Sequence, residues 1–196
     1  MFVICNLYMK AIIEISARHV HLTKHDLESL FGEGYELKIK KELSQIGQFA
    51  SEETVTLVGP KKQIEGVRVL GPCRSITQIE VSRTDAIALG INAPLRLSGK
   101  IIGSGAVKLI GPKGELELKE GVIVAKRHIH LNPEQAREIG VNNGQNVKIR
   151  IDTPRALTFE QVEARIDEDY DMAIHLDTDE ANAAGVVGEG EGEIIL

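Results

Sequence analysis

The chain has 196 residues, 42% hydrophobic and 27% charged, which is enough for one domain or two small ones with packed cores. Its formal net charge of −6 argues against a nucleic-acid partner, and no apolar run approaches the roughly 20 residues needed to cross a membrane. Two cysteines, Cys5 and Cys73, are too few for a disulfide framework, so we expect a cytoplasmic protein.

The first eight residues are too few for a signal peptide and lack its basic start. They are also fewer than the about 12 residues that an isolated helix needs in water. The first patterned strand follows over residues 9–17, so Met9 is a second candidate for the start of the protein.

The first motif, RHVHLT over residues 18–23, combines a strand with the start of a helix. Side chains two apart on an extended strand share a face, so His19 and His21 lie side by side. Thr23 has the features of a helix N-cap, and Gly32 marks the end of the short helix that follows.

Short alternating segments punctuated by Gly-Pro turns predict β-strands. These segments are 37–40, 54–58, 67–70, 95–97, 106–110, 121–124, 147–151 and 194–196. The four that follow predicted helices, starting at residues 37, 95, 147 and 194, alternate as half-buried antiparallel strands do. Residues 36–51 have no counterpart elsewhere and are interpreted as a hairpin excursion.

The segment GPCRSITQIEV over residues 71–81 carries a cation and a carboxylate suited to one site. Glu80 stands two residues before the N-cap Ser82, and Gly90 ends that helix. Arg74 is a candidate phosphate ligand because a planar guanidinium binds phosphate bidentately. On a straight strand it would lie about 20 Å from Glu80, so it must approach along a loop. A surface arginine at a turn is the alternative.

The second motif, RHIHLN over residues 127–132, repeats the first. His128 and His130 lie side by side, as the first pair does. Asn132 is the predicted N-cap, and Gln135 completes a capping box with it.

The same order of residues occurs again at His175, with the N-cap Asp177 and a closing Gly185. In all four copies a candidate metal ligand stands two residues before the N-cap, which indicates an internal repeat. These ligands are His21, Glu80, His130 and His175.

Other charged or reactive residues flank the motifs. Arg18 and Arg127 precede the histidine pairs and point away from the imidazoles, so each serves either a salt bridge or a substrate contact. Cys73 raises a nucleophile hypothesis, since neighbouring Arg74 could lower the pKa of its thiol. No partner base is evident, so a structural thiol is preferred.

Short strands at roughly ten-residue spacing favour barrels or sandwiches over a parallel α/β sheet. We predict a mainly β fold with short helices, in which two small β-barrel domains, each capped by short α-helices, are built from the repeated unit. The first domain covers residues 18–124 and the second residues 125–196. The ligand strands are expected to converge where the barrels meet.

Six side chains are candidate metal ligands: His19, His21, Glu80, His128, His130 and His175. Neutral imidazole is a common zinc ligand, and six ligands exceed what one tetrahedral zinc takes, so we expect two ions. Glu80 binds or bridges an ion, or orients a histidine through a hydrogen bond. For one His-x-His pair alone, a polar barrel edge facing water is the alternative.

Three strings together resemble the PduL-type phosphate propanoyltransferases, phosphotransacylases of bacterial microcompartments and of related anaerobic metabolism such as propanediol degradation. The strings are ISARHVHLT (15–23), GPCRSITQIEVSRTDAIALG (71–90) and AKRHIHL (125–131). The resemblance runs from about Ile12 to the C-terminus. It implies two helix-capped β-barrel domains, two zinc ions with coenzyme A at their junction, and a homo-oligomer, with a dimer favoured.

The resemblance also implies individual roles. His19 and His21 would hold one zinc that faces the coenzyme A sulfur. The second zinc would be surrounded by Glu80, His128, His130 and His175. Arg74 would receive phosphate, and the first strand, residues 9–17, would complete the C-terminal barrel. Microcompartment members of the family carry an N-terminal encapsulation peptide, and whether this chain enters a microcompartment is left open.

The expected reaction interconverts a short-chain acyl-CoA (propanoyl-CoA or acetyl-CoA) and phosphate with acyl phosphate and coenzyme A. Since no activated serine or cysteine is apparent, we expect direct attack by phosphate in this phosphate acyltransferase. Two alternatives stay open. One is a di-zinc hydrolase of a thioester or phosphoester, and the other is a non-catalytic metal-binding barrel protein.

Overall fold

The computed structural model of the protein describes residues 9–196, and the interpretations of residues 1–8 lie outside that range. The fold is mainly β. Its strands are β1 (Met9–Ser16), β2 (His19–His21), β3 (Ile39–Glu42), β4 (Phe49–Val58), β5 (Gln63–Gly71), β6 (Gln78–Glu80), β7 (Leu95–Arg96), β8 (Gly105–Ile110), β9 (Glu115–Ala125), β10 (His128–Leu131), β11 (Asn146–Ile151), β12 (Leu157–Ile166), β13 (Ala173–Asp177) and β14 (Gly190–Ile195). Its helices are α1 (Lys24–Phe31), α2 (Arg83–Leu89), α3 (Pro133–Ile139) and α4 (Thr178–Ala183). Over residues 9–196, no helix has the length and hydropathy needed to cross a membrane.

Residues 127–196, together with residues 9–15, form one compact unit. Its sheet closes into a barrel in the order β1-β13-β10-β12-β11-β14. Strand β10 runs antiparallel to β13 and parallel to β12, and β1 runs antiparallel to β14. Buried aliphatic side chains such as Ile129, Ile149 and Ile174 fill the core of this barrel.

Residues 16–126 form the other unit. Strands β4, β5, β2, β6, β9 and β8 pair in that order, and β8 pairs back to β4 to close the ring. Val20, Ile79 and Leu109 lie fully buried in its core. Two barrels, each with two short helices, confirm the predicted fold class.

The predicted helix starts are confirmed at four positions. Each N-cap has an extended backbone, and its side chain accepts a hydrogen bond from the backbone N–H three residues later. The caps are Thr23, Ser82, Asn132 and Asp177. The side chains of Gln135 and Glu180 accept a hydrogen bond from the backbone N–H of the N-cap residue, which completes a capping box at α3 and at α4. The equivalent residues of α1 and α2 are Asp26 and Asp85, which bond to other segments of the barrel.

Two Gly-Pro turns pack against the C-terminal ends of α1 and α2. Backbone amides of these turns donate to the carbonyl oxygens of Leu30 and Leu89, both at 3.0 Å. A Cβ at Gly111 or Gly59 would lie 2.5 or 2.3 Å from those same two oxygens. Glycine is therefore required at both turns so that the backbone can approach the helix end.

Two strands differ from the sequence-based prediction of half-buried antiparallel strands. Strand β3 is exposed along its whole length, because within the described range it pairs with β4 alone, outside the closed ring. Strand β7 is also exposed and runs parallel to β9. Strand β11 alternates between buried and exposed residues and is antiparallel to both neighbours, as predicted.

Candidate metal centres

The unit of residues 16–126 brings together three candidate ligands, His19, His21 and Glu80, which we call the first cluster. His19 lies directly opposite Glu80 across β2 and β6, with Nε2 and Oε2 3.6 Å apart. His19 Nδ1 donates to the carbonyl oxygen of Ala17 at 2.8 Å, so Nε2, which faces Glu80, is the nitrogen available to a metal ion. The ring of His21 stands 5.0 Å from that of His19. Ligand atoms of the three residues lie within 4.8 Å of one another.

His21 has the protonation state and the burial that a histidine metal ligand needs. Its residue surface is 2% exposed, and among the described residues Nδ1 has no hydrogen-bond partner. Burial lowers the pKa of His21 to about 2, helped by His19 and Arg74 and opposed by a hydrogen bond with the Leu70 backbone. A buried neutral imidazole with an unsatisfied nitrogen is stabilised when a metal ion occupies that position.

The other unit holds the second cluster, formed by His128, His130 and His175. His128 lies directly opposite His175 across β10 and β13, and their rings stack with centroids 4.8 Å apart. The ring of His130 is 4.7 Å from that of His128 and 4.3 Å from that of His175. Burial lowers the pKa of His130 to about 3, with His128 and Arg165 acting in the same direction. The three imidazoles have ligand atoms within 4.8 Å of one another, so they can face one ion.

Two residues that sequence analysis did not select touch the second cluster. Tyr170 stacks on His130 with ring centroids 3.8 Å apart. Glu14 on β1 places Oε2 3.7 Å from His175 Nδ1, so it can orient that ring. Glu14 lies far from His175 along the chain, and its local sequence carries no signal of this contact.

The two clusters occupy equivalent positions of the repeated fold. In each barrel a His-x-His strand runs antiparallel to the strand that carries the third ligand. Glu80 therefore lies in the first cluster, and its assignment to the second ion, which the resemblance implies, stays a prediction. The expected convergence of the two clusters stays a prediction.

Arg74 reaches the first cluster along a loop, as its separation from Glu80 requires. Strand β6 begins only at Gln78, and the backbone before it is not strand. The guanidinium donates to Ser98 Oγ at 3.2 Å and to Gln48 Oε1 at 3.0 Å. Gln78 Nε2 donates to the same Ser98 oxygen at 2.9 Å and to Glu80 Oε1 at 2.7 Å. A continuous set of hydrogen bonds thus joins Arg74 to Glu80.

Sequence analysis missed Gln78, Ser98 and Gln48. The spacing of two residues between Gln78 and Glu80 on a strand was an available signal, since it places both side chains on one face. Ser98 and Gln48 come from separate turns, and no local pattern marks them.

Arg18 and Arg127 form salt bridges, as one of the two interpretations predicted. Arg18 Nη1 lies 3.0 Å from Asp85 Oδ1, and Arg127 Nη1 lies 2.7 Å from Glu180 Oε1. Both acids belong to the first turn of the helix that follows a ligand strand, α2 or α4. Because the pair occurs in both barrels, it belongs to the repeated architecture.

Cys73 lacks the electrostatic environment of a nucleophile. Burial raises the pKa of its thiol, with Glu28 acting in the same direction and Lys24 against it. A protonated thiol is a poor nucleophile, which favours the structural interpretation.

The donor sets of both clusters fit zinc. Imidazole nitrogen and carboxylate oxygen are zinc ligands, and three protein ligands leave an open coordination position, as catalytic zinc sites require. The first cluster offers two imidazoles and a carboxylate, and the second offers three imidazoles.

Comparison with known proteins identifies the family. A profile of the phosphate propanoyltransferases matches residues 12–187. A phosphate propanoyltransferase of Thermotoga maritima is 53% identical over 174 residues, which cover 88% of this chain and 83% of that protein. Proteins of the same name from Shewanella putrefaciens and Salmonella typhimurium are 54% and 51% identical over 89% and 87% of the chain, and 82% and 81% of their own lengths. The motif resemblance is confirmed, and the chain belongs to the phosphate propanoyltransferase family.

Proposed function

We propose that this protein transfers a short-chain acyl group, propanoyl or acetyl, between coenzyme A and phosphate. The observation that carries the proposal is the set of hydrogen bonds that joins Arg74 to Glu80. It links an anion-binding cation to a cluster suited to a metal ion. The family name of the relatives supports the same reaction class.

We propose one zinc ion in each cluster, so two per chain. The buried neutral imidazoles of His21 and His130 support this assignment, because both rings hold unprotonated nitrogens at neutral pH. Zinc in such sites supplies Lewis-acid polarisation of a carbonyl and stabilises a thiolate.

Arg74 binds the phosphate substrate through its guanidinium, and its contacts with Ser98 and Gln48 fix the direction in which that group points. A phosphate oxygen forms the new bond to the thioester carbonyl carbon. The carbon–sulfur bond breaks, and sulfur leaves with the electron pair as the coenzyme A thiolate. Holding phosphate in one orientation converts a bimolecular encounter into an effectively unimolecular step.

The reaction proceeds without an acyl-enzyme, because burial keeps the Cys73 thiol protonated. Protein incubated with radioactive acyl-CoA and then denatured should carry no label. The Cys73→Ala variant should retain transfer activity. A stable label on the wild-type protein that is absent from this variant would contradict direct attack.

The decisive experiment combines metal analysis with a thiol-release assay on purified protein, across acyl-CoA chain lengths. We expect about two zinc ions per chain, coenzyme A release that requires phosphate, and one acyl phosphate formed per thiol released. Release without phosphate would instead favour the di-zinc hydrolase. Metal-loaded protein that never turns over acyl-CoA would favour the non-catalytic barrel.

We also propose a cytoplasmic homo-oligomer, with the dimer as the expected form. Light scattering on the purified protein tests the dimer. Fractionation of the producing cells tests location and distinguishes free protein from protein enclosed in a microcompartment.

A further inference from the structure

Gln78 is a buried polar residue whose side-chain amide forms three hydrogen bonds. Its residue surface is 2% exposed. The amide nitrogen donates to Glu80 Oε1 at 2.7 Å and to Ser98 Oγ at 2.9 Å, and the amide oxygen accepts from the Gly99 backbone N–H at 2.6 Å. Burying an amide costs free energy unless its groups are bonded, so these contacts hold Gln78 in one conformation.

The barrel itself does not require this glutamine. Gln78 lies opposite His21 across β2 and β6, and the equivalent residue of the other barrel, opposite His130 across β10 and β13, is Ala173. The arginine–acid salt bridge, by contrast, occurs in both barrels. The shared fold therefore does not need a buried polar residue at this position, so Gln78 serves what the first barrel alone does.

Gln78 contacts two groups of the proposed reaction at once. Its bond to Glu80 Oε1 leaves Oε2 on the side of His19, 3.6 Å from that imidazole. Its bond to Ser98 holds the hydroxyl oxygen that also accepts from Arg74. The amide therefore fixes the orientation of the Glu80 carboxylate directly. Through the Ser98 hydroxyl it also fixes the position of the Arg74 guanidinium.

We propose that Gln78 is a positioning residue for acyl transfer, holding the Glu80 carboxylate directly and the Arg74 guanidinium through Ser98. This inference rests on the proposed function. It assigns two separable effects to the Gln78 side chain. One is on the zinc affinity of the first cluster, and the other is on kcat/KM for phosphate.

The test compares Gln78→Met with Ser98→Ala. Gln78→Met keeps the side-chain length without the amide. Ser98→Ala removes the hydroxyl that accepts from both Arg74 and Gln78 but leaves the bond between Gln78 and Glu80. We expect Gln78→Met to lower both zinc affinity, measured by competition with a chromophoric chelator, and kcat/KM for phosphate by about 10- to 100-fold. Ser98→Ala should lower kcat/KM for phosphate and leave zinc affinity unchanged. In the double variant the phosphate effects should not add, because both changes break one connection.

The matched control is Gln63→Met. Gln63 Nε2 donates to Glu65 Oε1 at 2.8 Å, which is the same glutamine–glutamate bond two residues apart, but on an exposed part of β5. This variant should match the wild type in zinc affinity and in kcat/KM for phosphate.

The outcomes separate this inference from the proposed function. If the wild type transfers acyl groups and Gln78→Met matches Gln63→Met in zinc affinity and in kcat/KM for phosphate, the role of Gln78 is overturned and the proposed function stands. Wild-type thiol release that needs no phosphate overturns the proposed function and this inference with it. If Gln78→Met does not fold, Ser98→Ala decides, and an unchanged kcat/KM for phosphate in that variant overturns the inference.

Discussion

Glu80 and His175 are equivalent residues of the two barrels. Each lies directly opposite the first histidine of a His-x-His strand and stands two residues before a helix N-cap. The same backbone position therefore presents a carboxylate in one barrel and an imidazole in the other. The difference in donor type between the two clusters therefore comes from the side chain and not from the backbone position.

This equivalence predicts that Glu80→His keeps a three-ligand first cluster and still binds zinc, because His175 fills the same backbone position in the second. Glu80→Ala should lower zinc affinity by more than the about 10- to 100-fold that loss of an outer hydrogen-bond partner costs. Chelator competition measures both. Glu65→Ala, on the exposed part of β5, is the control. Equal losses in the two Glu80 variants would show that the cluster needs a carboxylate.

Arg74→Lys should raise KM for phosphate, because an ammonium cannot reproduce the two-pronged contact of a guanidinium. We expect kcat/KM for phosphate to fall about 10- to 100-fold, equivalent to about 1.5–3 kcal/mol. Steady-state kinetics at saturating acyl-CoA measures the change. Arg96→Lys, an exposed arginine of β7 bonded to its neighbouring carbonyl, is the control. An unaltered KM in Arg74→Lys would place phosphate elsewhere.

The Arg127–Glu180 salt bridge should stabilise the fold more than the exposed Lys10–Glu191 pair. The side chains are 31% and 19% exposed in the first pair, against 66% and 62% in the second. A double-mutant cycle with Arg127→Met and Glu180→Gln should give a coupling free energy of about 1–2 kcal/mol. Glutamine at position 180 keeps the capping acceptor. The same cycle on Lys10 and Glu191 should give below about 0.5 kcal/mol. Urea unfolding measures both, and equal couplings would refute the prediction.

Tyr35 should stabilise the protein in a way that depends on pH. Its hydroxyl donates to Glu53 at 2.9 Å. Burial acts to raise the pKa of Glu53, but hydrogen bonds from Tyr35 and other groups outweigh it and lower that pKa below the ordinary 4.5. The stabilisation is therefore complete above pH 4.5 and is lost as the pH falls through the lower pKa of the folded state. Unfolding of wild type and Tyr35→Phe across acidic pH measures this, and a difference that stays constant would contradict it.

Local sequence determined the repeated parts of this protein. Asn132 and Asp177 cap helices as predicted. An N-cap needs only a side-chain acceptor that reaches the backbone N–H two or three residues later, so local sequence is enough to identify it. The pairing of His19 with His21, and of His128 with His130, follows from the two-residue period of a strand. The motif strings were also specific enough to identify the family.

Tertiary structure alone decided which groups meet. Register across β2 and β6 places Glu80 beside His19, and a loop brings Arg74 to Ser98, a residue from a separate turn. The exposure of β3 depends on its lying outside the closed ring, which its own alternation does not reveal. Caps and strand faces are set by neighbours within a few residues, whereas contacts between distant segments depend on pairing partners that local periodicity does not encode.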